Sequence, residues 1–333
     1  MTSERELTGW LATFFPSHRD LLVGIGDDAA VIRQRHERTV LCCDPVIDGV
    51  HFDERAPRTL VGKKAVNRNL SDLAAMGAVA DWLLVSLVLP SDTSKAHLHA
   101  LLRGIRSAAS DANCCVVGGD VATGPGPMVV TVSAFGHLPG RCLTRSSARA
   151  GNTLHVTGPL GGSIHGHHLR FRPALQEGLW LAAQAEVTAA MDISDGLLLD
   201  LQTMLAASSR PGAPLGAELD ASRIPIRRAA HRFGDGQALQ HALSDGEDHV
   251  LLWAQRTKHE LSHGGPLSAR ARQSIGQIVR EPGLWLVQDG VRQRLPESGF
   301  QHALMTAPSR QSTSRRQASK QSPSKRKQRP PTL

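Results

Sequence analysis

The sequence predicts an α/β protein with two domains. The chain has 333 residues, and single hydrophobic cores stop growing at roughly 250–300 residues. Short apolar or β-branched runs alternate with helical patterns along most of its length. The composition, 41% hydrophobic and 20% charged residues, is typical of a globular protein with a sizeable core.

The first half of the chain combines strand and helix patterns. Its strand runs are bounded by Gly, Pro or Asp, and Gly77 stands where it can cap the C-terminus of the first helix. The predicted strands are Val40–Asp44, Leu83–Leu89, Cys115–Val117 and Val129–Phe135, and the predicted helices are Leu60–Met76 and Lys95–Ala112.

The second half repeats this organisation after a short polar segment. Strands are predicted at Thr153–Thr157, Ala217–Leu219 and His249–Trp253, a helix at Leu197–Ala207, and a hairpin over residues 284–295. The hairpin is predicted because Asp289-Gly290 suits a tight turn. We therefore expect domains at residues 1–148 and 149–305, followed by a tail at residues 306–333.

The net charge of +8 belongs to that tail. Residues 306–333 contain eight Lys and Arg and no acidic residue, so the remaining 305 residues carry no net charge. A segment this polar cannot bury enough apolar surface to fold, and we predict that it is disordered. It could bind polyanions weakly, but a solvated extension is the simpler interpretation, and we expect no specific nucleic-acid partner.

Other features predict a cytoplasmic protein without a membrane segment. No apolar run reaches the roughly 18–20 residues that a membrane span needs, and the charged start of the chain is unlike a secretion signal. The five cysteines are odd in number and lack a Cys-x-x-Cys pattern, which favours reduced thiols over disulfides or a zinc site.

The unusual feature is the position of the aspartates. They follow glycines, end apolar strands or lie on the inward face of a helix, at Asp27, Asp44, Asp72, Asp120, Asp192 and Asp195. Each alone could be a turn or a helix cap. Together they are too many for each to form an ion pair with its own Lys or Arg. Buried carboxylates are costly unless they have such a partner or bind a cation. Because Mg²⁺ prefers oxygen ligands and bridges carboxylates to phosphates, the sequence predicts a magnesium–nucleotide site built from both halves.

Motifs of other nucleotide and hydrolase classes are absent. The sequence contains no Gly-x-x-x-x-Gly-Lys-[Ser/Thr] and no Gly-x-Ser-x-Gly, which argues against a Walker-type protein and an α/β-hydrolase. The histidines at 165, 167 and 168 lie in a Gly-rich segment without a matching carboxylate, and we do not interpret them as a transition-metal site.

These motifs resemble those of the thiamine-monophosphate kinase family, in the superfamily that includes aminoimidazole ribonucleotide synthetase and selenophosphate synthetase. The matching segments run in the family's order across roughly residues 20–305. They are Gly26–Ala30, Asp44–Phe52, Asn69–Ala78, Gly118–Asp120, Leu143–Arg149, Met191–Gly196, Asp245–Asp248 and Gly299–His302.

The resemblance implies a two-domain synthetase-like fold, with an N-terminal domain that binds ATP and dimerises and a C-terminal domain that completes the substrate site. It implies ATP-dependent phosphorylation of thiamine phosphate to thiamine diphosphate by a homodimer, with several Mg²⁺ ions. Phosphoryl transfer needs alignment and charge neutralisation, and the acceptor phosphate is already nucleophilic. We therefore expect direct in-line transfer without a phosphoenzyme or a catalytic side chain.

The resemblance also implies roles for individual residues. Magnesium would be held by Asp27, Asp44, Asp72, Asp120, Asp192 and Asp195, with Cys43 contributing at most a backbone carbonyl. ATP would contact Gly119, Asp120, Arg145 and Ser194. Thiamine phosphate would contact His51, Glu247, Asp248 and Phe300, the last by stacking on the cationic heterocycles.

The substrate side departs from the family pattern more than the metal side does. Cys42-Cys43 replaces hydroxyl residues, and Asp245 and His249 replace a glycine and a tyrosine. This leaves two alternatives: another ATP-dependent member of the superfamily, acting on a different phosphorylated or acyl acceptor, or a non-catalytic protein that kept the fold. The complete set of aspartates argues against the second.

Overall fold

The elements of the fold are those of a computed structural model, which describes residues 4–26, 29–257, 261 and 264–296. The described residues belong to one compact unit. In chain order its elements are α1 (Glu4–Phe14), β1 (Leu21–Val23), β2 (Val31–Ile32), β3 (Thr39–Ile47), α2 (Arg58–Ala75), β4 (Val79–Pro90), α3 (Lys95–Asp111), β5 (Cys115–Gly124), β6 (Val129–His137), β7 (Asn152–Val156), α4 (Leu175–Ala182), β8 (Val187–Asp192), α5 (Leu197–Ser208), β9 (Gly216–Asp220), α6 (Ala238–Ser244), β10 (Leu251–Arg256), β11 (Gly276–Val279), β12 (Gly283–Gln288) and β13 (Val291–Arg294).

The first half forms a four-stranded sheet in the order β3-β6-β4-β5. β6 pairs antiparallel with β3 and β4, whereas β5 runs parallel to β4. The alternation of buried and exposed residues in these strands places one face of the sheet on a core that α2 and α3 cover. Leu70, Leu83 and Leu101 from three different elements are buried in this core.

The second half forms a seven-stranded sheet in the order β13-β12-β9-β11-β7-β10-β8. Its strands pair antiparallel except for the parallel pair of β9 and β12. The leucine-rich helix α5 covers one face, and its Leu198 and Leu201 are fully buried with Leu219 and Leu252 from the sheet.

A third hydrophobic cluster connects the halves through helix α2. Ala74 of α2 packs there with Leu181 of α4 and Trp253 of β10. The helices approach so closely that a Cβ atom at Gly178 would lie 2.0 Å from the carbonyl oxygen of Ala74. Residue 178 must therefore be glycine, and α2 packs against both sheets.

The structure confirms the mixed α/β fold class expected from the sequence. Each strand and helix predicted above overlaps an observed element and extends at most two residues beyond it; β10, for example, begins at Leu251 rather than at His249. Gly77 caps α2 as predicted and donates a hydrogen bond to Ala74 at 3.0 Å. The elements that were not predicted are α1, β1, β2, α4, β8, α6 and β11.

Two sequence predictions remain predictions. The boundary at residues 148 and 149 falls in the segment that joins β6 to β7, and the tail at residues 306–333 lies outside the described residues. Within the described part of the chain, no helix is both long enough and apolar enough to cross a membrane.

Candidate active site

Three aspartates from both halves of the chain converge beside α2. Asp44 lies on β3, Asp72 on α2 and Asp192 at the end of β8; we call these three the carboxylate cluster. Burial raises the pKa of Asp72 to about 7, and the charges of Asp192 and Asp44 raise it further, against the opposing effect of Arg145 and Arg68. Burial, with the two neighbouring carboxylates, therefore disfavours the ionised form of Asp72 despite the two arginines.

The side chain of Asn69 fixes Asp44 against α2. Asn69 is fully buried. Its Oδ1 accepts a hydrogen bond from the backbone N–H of Asp44 at 2.9 Å, and its Nδ2 donates to the carbonyl of Ala65 at 3.0 Å. Asp72 follows one helical turn later on the same face. Arg68 Nη2 lies 3.6 Å from Asp44 Oδ2, a basic neighbour that the sequence did not reveal.

Asp192 is the buried member of the cluster and the best supplied with donors. Ser71 Oγ donates to its Oδ2 at 2.7 Å, and His249 Nδ1 lies 3.5 Å from the same oxygen. Burial alone would raise its pKa, but His249, Ser71 and Arg145 outweigh burial and hold the pKa low. The pKa of Asp192 is thus shifted down, whereas that of the neighbouring Asp72 is shifted up.

The segment before β10 runs alongside the residues that follow β8. The N–H of Glu247 donates to the carbonyl of Ser194 at 2.7 Å, and the N–H of His249 donates to Ile193 at 2.8 Å. Glu247 and His249 both have positive φ angles, 62° and 49°, a conformation that is uncommon for residues other than glycine. Packing maintains it: the ring of Phe171 stacks on His249 at 4.1 Å.

Lys64 of α2 connects two residues of the predicted substrate side. Its side chain is fully buried, and its Nζ lies 2.6 Å from Glu247 Oε1 and donates to Oε2 at 2.8 Å. The same Nζ donates to the carbonyl of His51. Burial lowers the pKa of Lys64, and Glu247 opposes this effect. His51 is buried, and its Nδ1 accepts a hydrogen bond from Ile47 at 3.1 Å.

Asp248, next to Glu247, lies in a different environment. Its carboxylate is fully buried and accepts hydrogen bonds from the N–H of Gly161 at 2.9 Å and from Ser163 Oγ at 2.6 Å. It also pairs with the guanidinium of Arg227. These contacts anchor the loop after β7 and surround the carboxylate with donors.

The loop that carries Ser194 and Asp195 is held by a residue that the sequence did not indicate. Asp200 Oδ2 accepts hydrogen bonds from the N–H groups of Ser194 and Asp195, each at 3.0 Å. Burial raises the pKa of Asp200 to about 7, and the charges of Asp195 and Asp192 add to the shift. Asp200 therefore sets the position of both predicted site residues.

Gly119 and Asp120 follow an irregularity in β5. Leu83 of β4 pairs with Val116, but the next residue pairs with Gly118, so Val117 is an inserted residue. At Gly119, φ is 153° and a Cβ atom would lie 1.8 Å from the carbonyl of Val85. Only glycine fits there. A cavity of about 650 Å³ lies between this strand, α1 and the Gly24–Gly26 segment.

The two cysteines before Asp44 face opposite sides of the sheet. Cys42 lies on the inner face beside the cluster, where burial, followed by the charges of Asp72 and Asp44, raises the pKa of its thiol. Cys43 is exposed on the outer face, where Ser133 Oγ lies 3.3 Å from its sulfur. The side chain of Cys43 is therefore remote from the carboxylates, and only its backbone remains available to the site.

The donor chemistry of the cluster fits a hard divalent cation. Its ligand atoms are carboxylate oxygens, and a bound cation would offset the repulsion that adds to the effect of burial on the pKa of Asp72. Among the described side chains, no three His, Cys, Asp or Glu residues lie close enough together to hold a metal ion. Asp27 and Phe300 lie outside the described residues.

Comparison with known proteins identifies the family. Residues 26–138 match the AIR synthase related protein N-terminal domain. The thiamine-monophosphate kinase of Rhodopirellula baltica is 38% identical over 298 residues, which cover 84% of this chain and 91% of that protein. The chain belongs to the thiamine-monophosphate kinase family of enzymes.

Solved structures agree with this assignment. Thiamine-monophosphate kinase from Stenotrophomonas maltophilia is 31% identical in sequence to this chain, and the two superimpose with a TM-score of 0.69. The match covers 82% of this chain and 92% of the Stenotrophomonas chain. The structure of AaThiL complexed with AMPPCP and TMP is 24% identical, with a TM-score of 0.69 over 90% of this chain and 95% of its own. It supports the shared fold.

In this member of the thiamine-monophosphate kinase family, sequence reasoning missed three residues that organise the site. They are Lys64, Ser71 and Asp200. Each is a buried polar or charged residue on the face of a helix that packs against the core. That mismatch is the available signal, because a charge on the buried face of a helix requires a partner from elsewhere in the fold.

Proposed function

We propose that this enzyme transfers the γ-phosphoryl group of ATP to thiamine phosphate and forms thiamine diphosphate by direct, in-line, magnesium-assisted transfer. Family membership supports the reaction, and AaThiL has been solved with AMPPCP and TMP. The observation that carries the site is the proximity of Asp44, Asp72 and Asp192: burial, followed by the charges of Asp192 and Asp44, raises the pKa of Asp72 to about 7.

The carboxylate cluster is the proposed centre of magnesium binding. Asp44, Asp72 and Asp192 would hold the ions, joined through their motifs by Asp27, Asp120 and Asp195. When bound, magnesium neutralises phosphate charge and aligns the reacting groups. Ser71 and Asn69 would keep Asp192 and Asp44 in place, because both are buried and hydrogen-bonded to them.

ATP would lie between the cluster and the cavity beside β5. Gly119 lets the backbone approach a bound phosphate closely, and Asp120 follows at the cavity wall. The positive charge of Arg145 acts on both Asp72 and Asp192, which places it where it could also neutralise a phosphate. The backbone of Ser194 is fixed by Asp200 on the other side of the cluster.

Thiamine phosphate would lie beside the residues that Lys64 organises. Glu247 would pair with the cationic heterocycles and His51 would approach the phosphate. Phe300 would supply a stacking surface, as its motif implies. Asp248 has a different proposed role: its oxygens are occupied by Gly161, Ser163 and Arg227, so it would support the site through the loop after β7.

The proposed chemistry needs no covalent intermediate. The acceptor is a phosphate oxygen, which is nucleophilic without a strong general base, and the barrier is set mainly by electrostatic repulsion and alignment. The chain's contribution is to hold both substrates in line, to supply Arg145 to the developing negative charge and to keep the carboxylates in position.

The proposed homodimer would use the outer face of the four-stranded sheet. Its helices cover the other face, and Leu41 and Val88 are 63% and 41% exposed on the uncovered one. Apolar side chains repeated along a sheet face are typical of an interface. Light scattering on the purified protein would show twice the chain mass; a monomer would remove this part of the proposal.

The direct test is turnover with ATP, Mg²⁺ and thiamine phosphate. We expect thiamine diphosphate as the product and at least a 1,000-fold loss of kcat in Asp72→Asn, the order of loss seen when a transition-state charge interaction is removed. Asp111→Asn is the matched control, because Asp111 is exposed and contacts only Lys63 among the ion pairs of the described residues.

Two outcomes would contradict the proposal. Near-normal activity of Asp72→Asn would remove the metal role. ATP binding without turnover would favour the alternative function, a related ATP-dependent enzyme with another acceptor, and a panel of phosphorylated and carboxylic acceptors would then identify the substrate class.

A further inference from the structure

The second half of the molecule contains a further groove, whose lining begins at Ser146, the residue after Arg145. It has a volume of about 870 Å³ and is formed by residues 146–150, the segment after α5 and the turn before β12. Its lining shares no residue with the carboxylate cluster or with the cavity beside Gly119. A volume of this size is within the range of small-molecule sites.

The lining of this groove carries positive charge without compensation. Arg149, Arg210 and Arg280 contribute to it, and none of its lining residues is acidic. Within the described part of the chain, the three guanidinium groups have no ion pair or hydrogen bond with another residue, whereas Arg227 and Arg292 are both paired with carboxylates.

Glu281, the acidic residue next to Arg280 in sequence, does not neutralise the positive charge of the groove. Glu281 stands between Arg280 and Pro282, but its carboxylate pairs with Arg292 at 2.7 Å and it is not part of the lining. The hydroxyl residues Ser146, Ser147 and Ser208 complete the polar lining. Three unpaired guanidinium groups with nearby hydroxyl groups are the donors that bind phosphate oxygens.

The backbone of the groove is fixed by hydrogen bonds. Arg210 and Ala213 bond to each other across a tight turn, with the N–H of Ala213 donating at 2.9 Å. Ser208 Oγ accepts a hydrogen bond from the N–H of Ala148 at 3.1 Å and donates to the carbonyl of Arg145 at 2.7 Å. Little ordering of the main chain is therefore needed when a ligand binds.

We propose that this groove binds the phosphate group of a small molecule, at a site separate from the phosphates of the reaction. The ligand class is a phosphate monoester or inorganic phosphate, held by Arg149, Arg210 and Arg280. The proposal depends on charge and cavity in the second half alone, so it does not require the proposed kinase reaction.

The test measures thermal stability of the full chain against inorganic phosphate, with EDTA present and ionic strength held constant by NaCl. Binding to the folded state raises Tm as phosphate increases. In the variant with Arg149→Gln, Arg210→Gln and Arg280→Gln, we expect at least a tenfold loss of phosphate affinity. Each of the three single variants should lose about threefold in phosphate affinity. They provide the test if the triple variant does not fold.

The matched control carries Arg228→Gln, Arg256→Gln and Arg270→Gln. These arginines are exposed, and their replacement removes the same charge outside the groove. The control should respond to phosphate as the unmodified protein does. An unchanged response in the groove variant, or an equal loss in the control, would overturn the proposal, as would the absence of any phosphate-dependent rise in Tm.

Two further probes identify the source of the phosphate. Ribose 5-phosphate that binds more tightly than inorganic phosphate, through the same arginines, would indicate an organic ester; equal affinity would indicate free phosphate. A single-stranded oligonucleotide that binds through these arginines while both small probes fail would overturn the assignment to a small molecule.

Discussion

Asp248 and the carboxylate cluster differ in how their negative charge is satisfied. Asp248 is surrounded by Gly161, Ser163 and Arg227, and its negative charge is balanced within the protein. The carboxylate cluster has two arginines against three acids, and the pKa of Asp72 rises to about 7, mainly through burial. A carboxylate that is paired and hydrogen-bonded within the protein keeps the fold together. A carboxylate that lies near other carboxylates is repelled by them, and a bound cation can offset this repulsion.

The largest effect on stability should come from Asp248→Asn. The substitution leaves Arg227 as a buried charge without its partner, so we expect a loss of about 3–5 kcal/mol in the free energy of unfolding. Urea denaturation measures it. Asp235→Asn is the control, because Asp235 is 38% exposed and its loss should cost less than about 1 kcal/mol. A loss below that level at Asp248 would contradict its structural role.

Lys64→Met should have the next largest effect. It leaves Glu247 without its buried ammonium partner, and because Glu247 is 27% exposed, we expect a smaller loss of about 2–3 kcal/mol. The double variant with Glu247→Gln should recover about 1 kcal/mol, which a double-variant cycle detects. The KM for thiamine phosphate should rise more than kcat falls. Strict additivity of the two substitutions would show that the residues are not coupled.

Asp72→Asn should move stability in the opposite direction. At pH 8 and without metal, the substitution removes the negative charge of Asp72, which burial and the neighbouring carboxylates disfavour. We expect it to stabilise the fold by about 1–2 kcal/mol, a value reduced for partial solvent screening. The folded-state pKa of about 7 exceeds the ordinary 3.8. Protonation therefore stabilises the unmodified protein fully below about pH 4, and this contribution is lost as the pH rises through 7.

The pH dependence provides the check. The stability difference between Asp72→Asn and the unmodified protein should be present at pH 8 and should vanish near pH 4. Saturating Mg²⁺ with ATP should reverse its sign at pH 8, since only the carboxylate binds the cation. A variant that is less stable at pH 8 without metal would show that the carboxylate cluster is not repulsive.

The smallest effect is expected for Asp200→Asn. The pKa of Asp200 is raised to about 7, chiefly by burial, so a neutral amide that keeps one oxygen should accept the same N–H groups at little cost. We expect a change below about 1 kcal/mol, against a loss of about 1–2 kcal/mol for Asp200→Ala, which leaves the two N–H groups without an acceptor. Equal losses in the two variants would contradict this account.

Most of the fold follows from local patterns. The strands of the first sheet are runs of Val, Leu and Ile bounded by Gly, Pro or Asp, and α2 combines an apolar face with Gly77 at its end. Both patterns need only neighbouring residues, and the structure confirms both. The short strand β11 was missed because Gly276–Val279 pairs with β7 and β9, which are distant in sequence.

The candidate site was predictable in part for the same reason. The sequence predicted Asp44 from its position after an apolar run, Asp72 from its inward helical face and Asp192 from the Met191–Gly196 motif. The three lie near enough to influence one another's charge, and their role as metal ligands remains a prediction. The difference between Glu247 and Asp248 could not be predicted, because it depends on Lys64, Arg227 and the loop after β7, which only the folded chain brings together. Their assignments to substrate remain proposals.

Helix α2 contributes Lys64, Asn69, Ser71 and Asp72, and through them it is bonded to both sheets. Separating the halves by a hinge motion would strip Lys64 from Glu247 and Ser71 from Asp192, exposing a buried ammonium and a buried carboxylate at a cost of several kcal/mol. Rigid-body opening is therefore a costly route for substrate entry. Substrate entry by rearrangement of surface loops would leave both of these contacts intact.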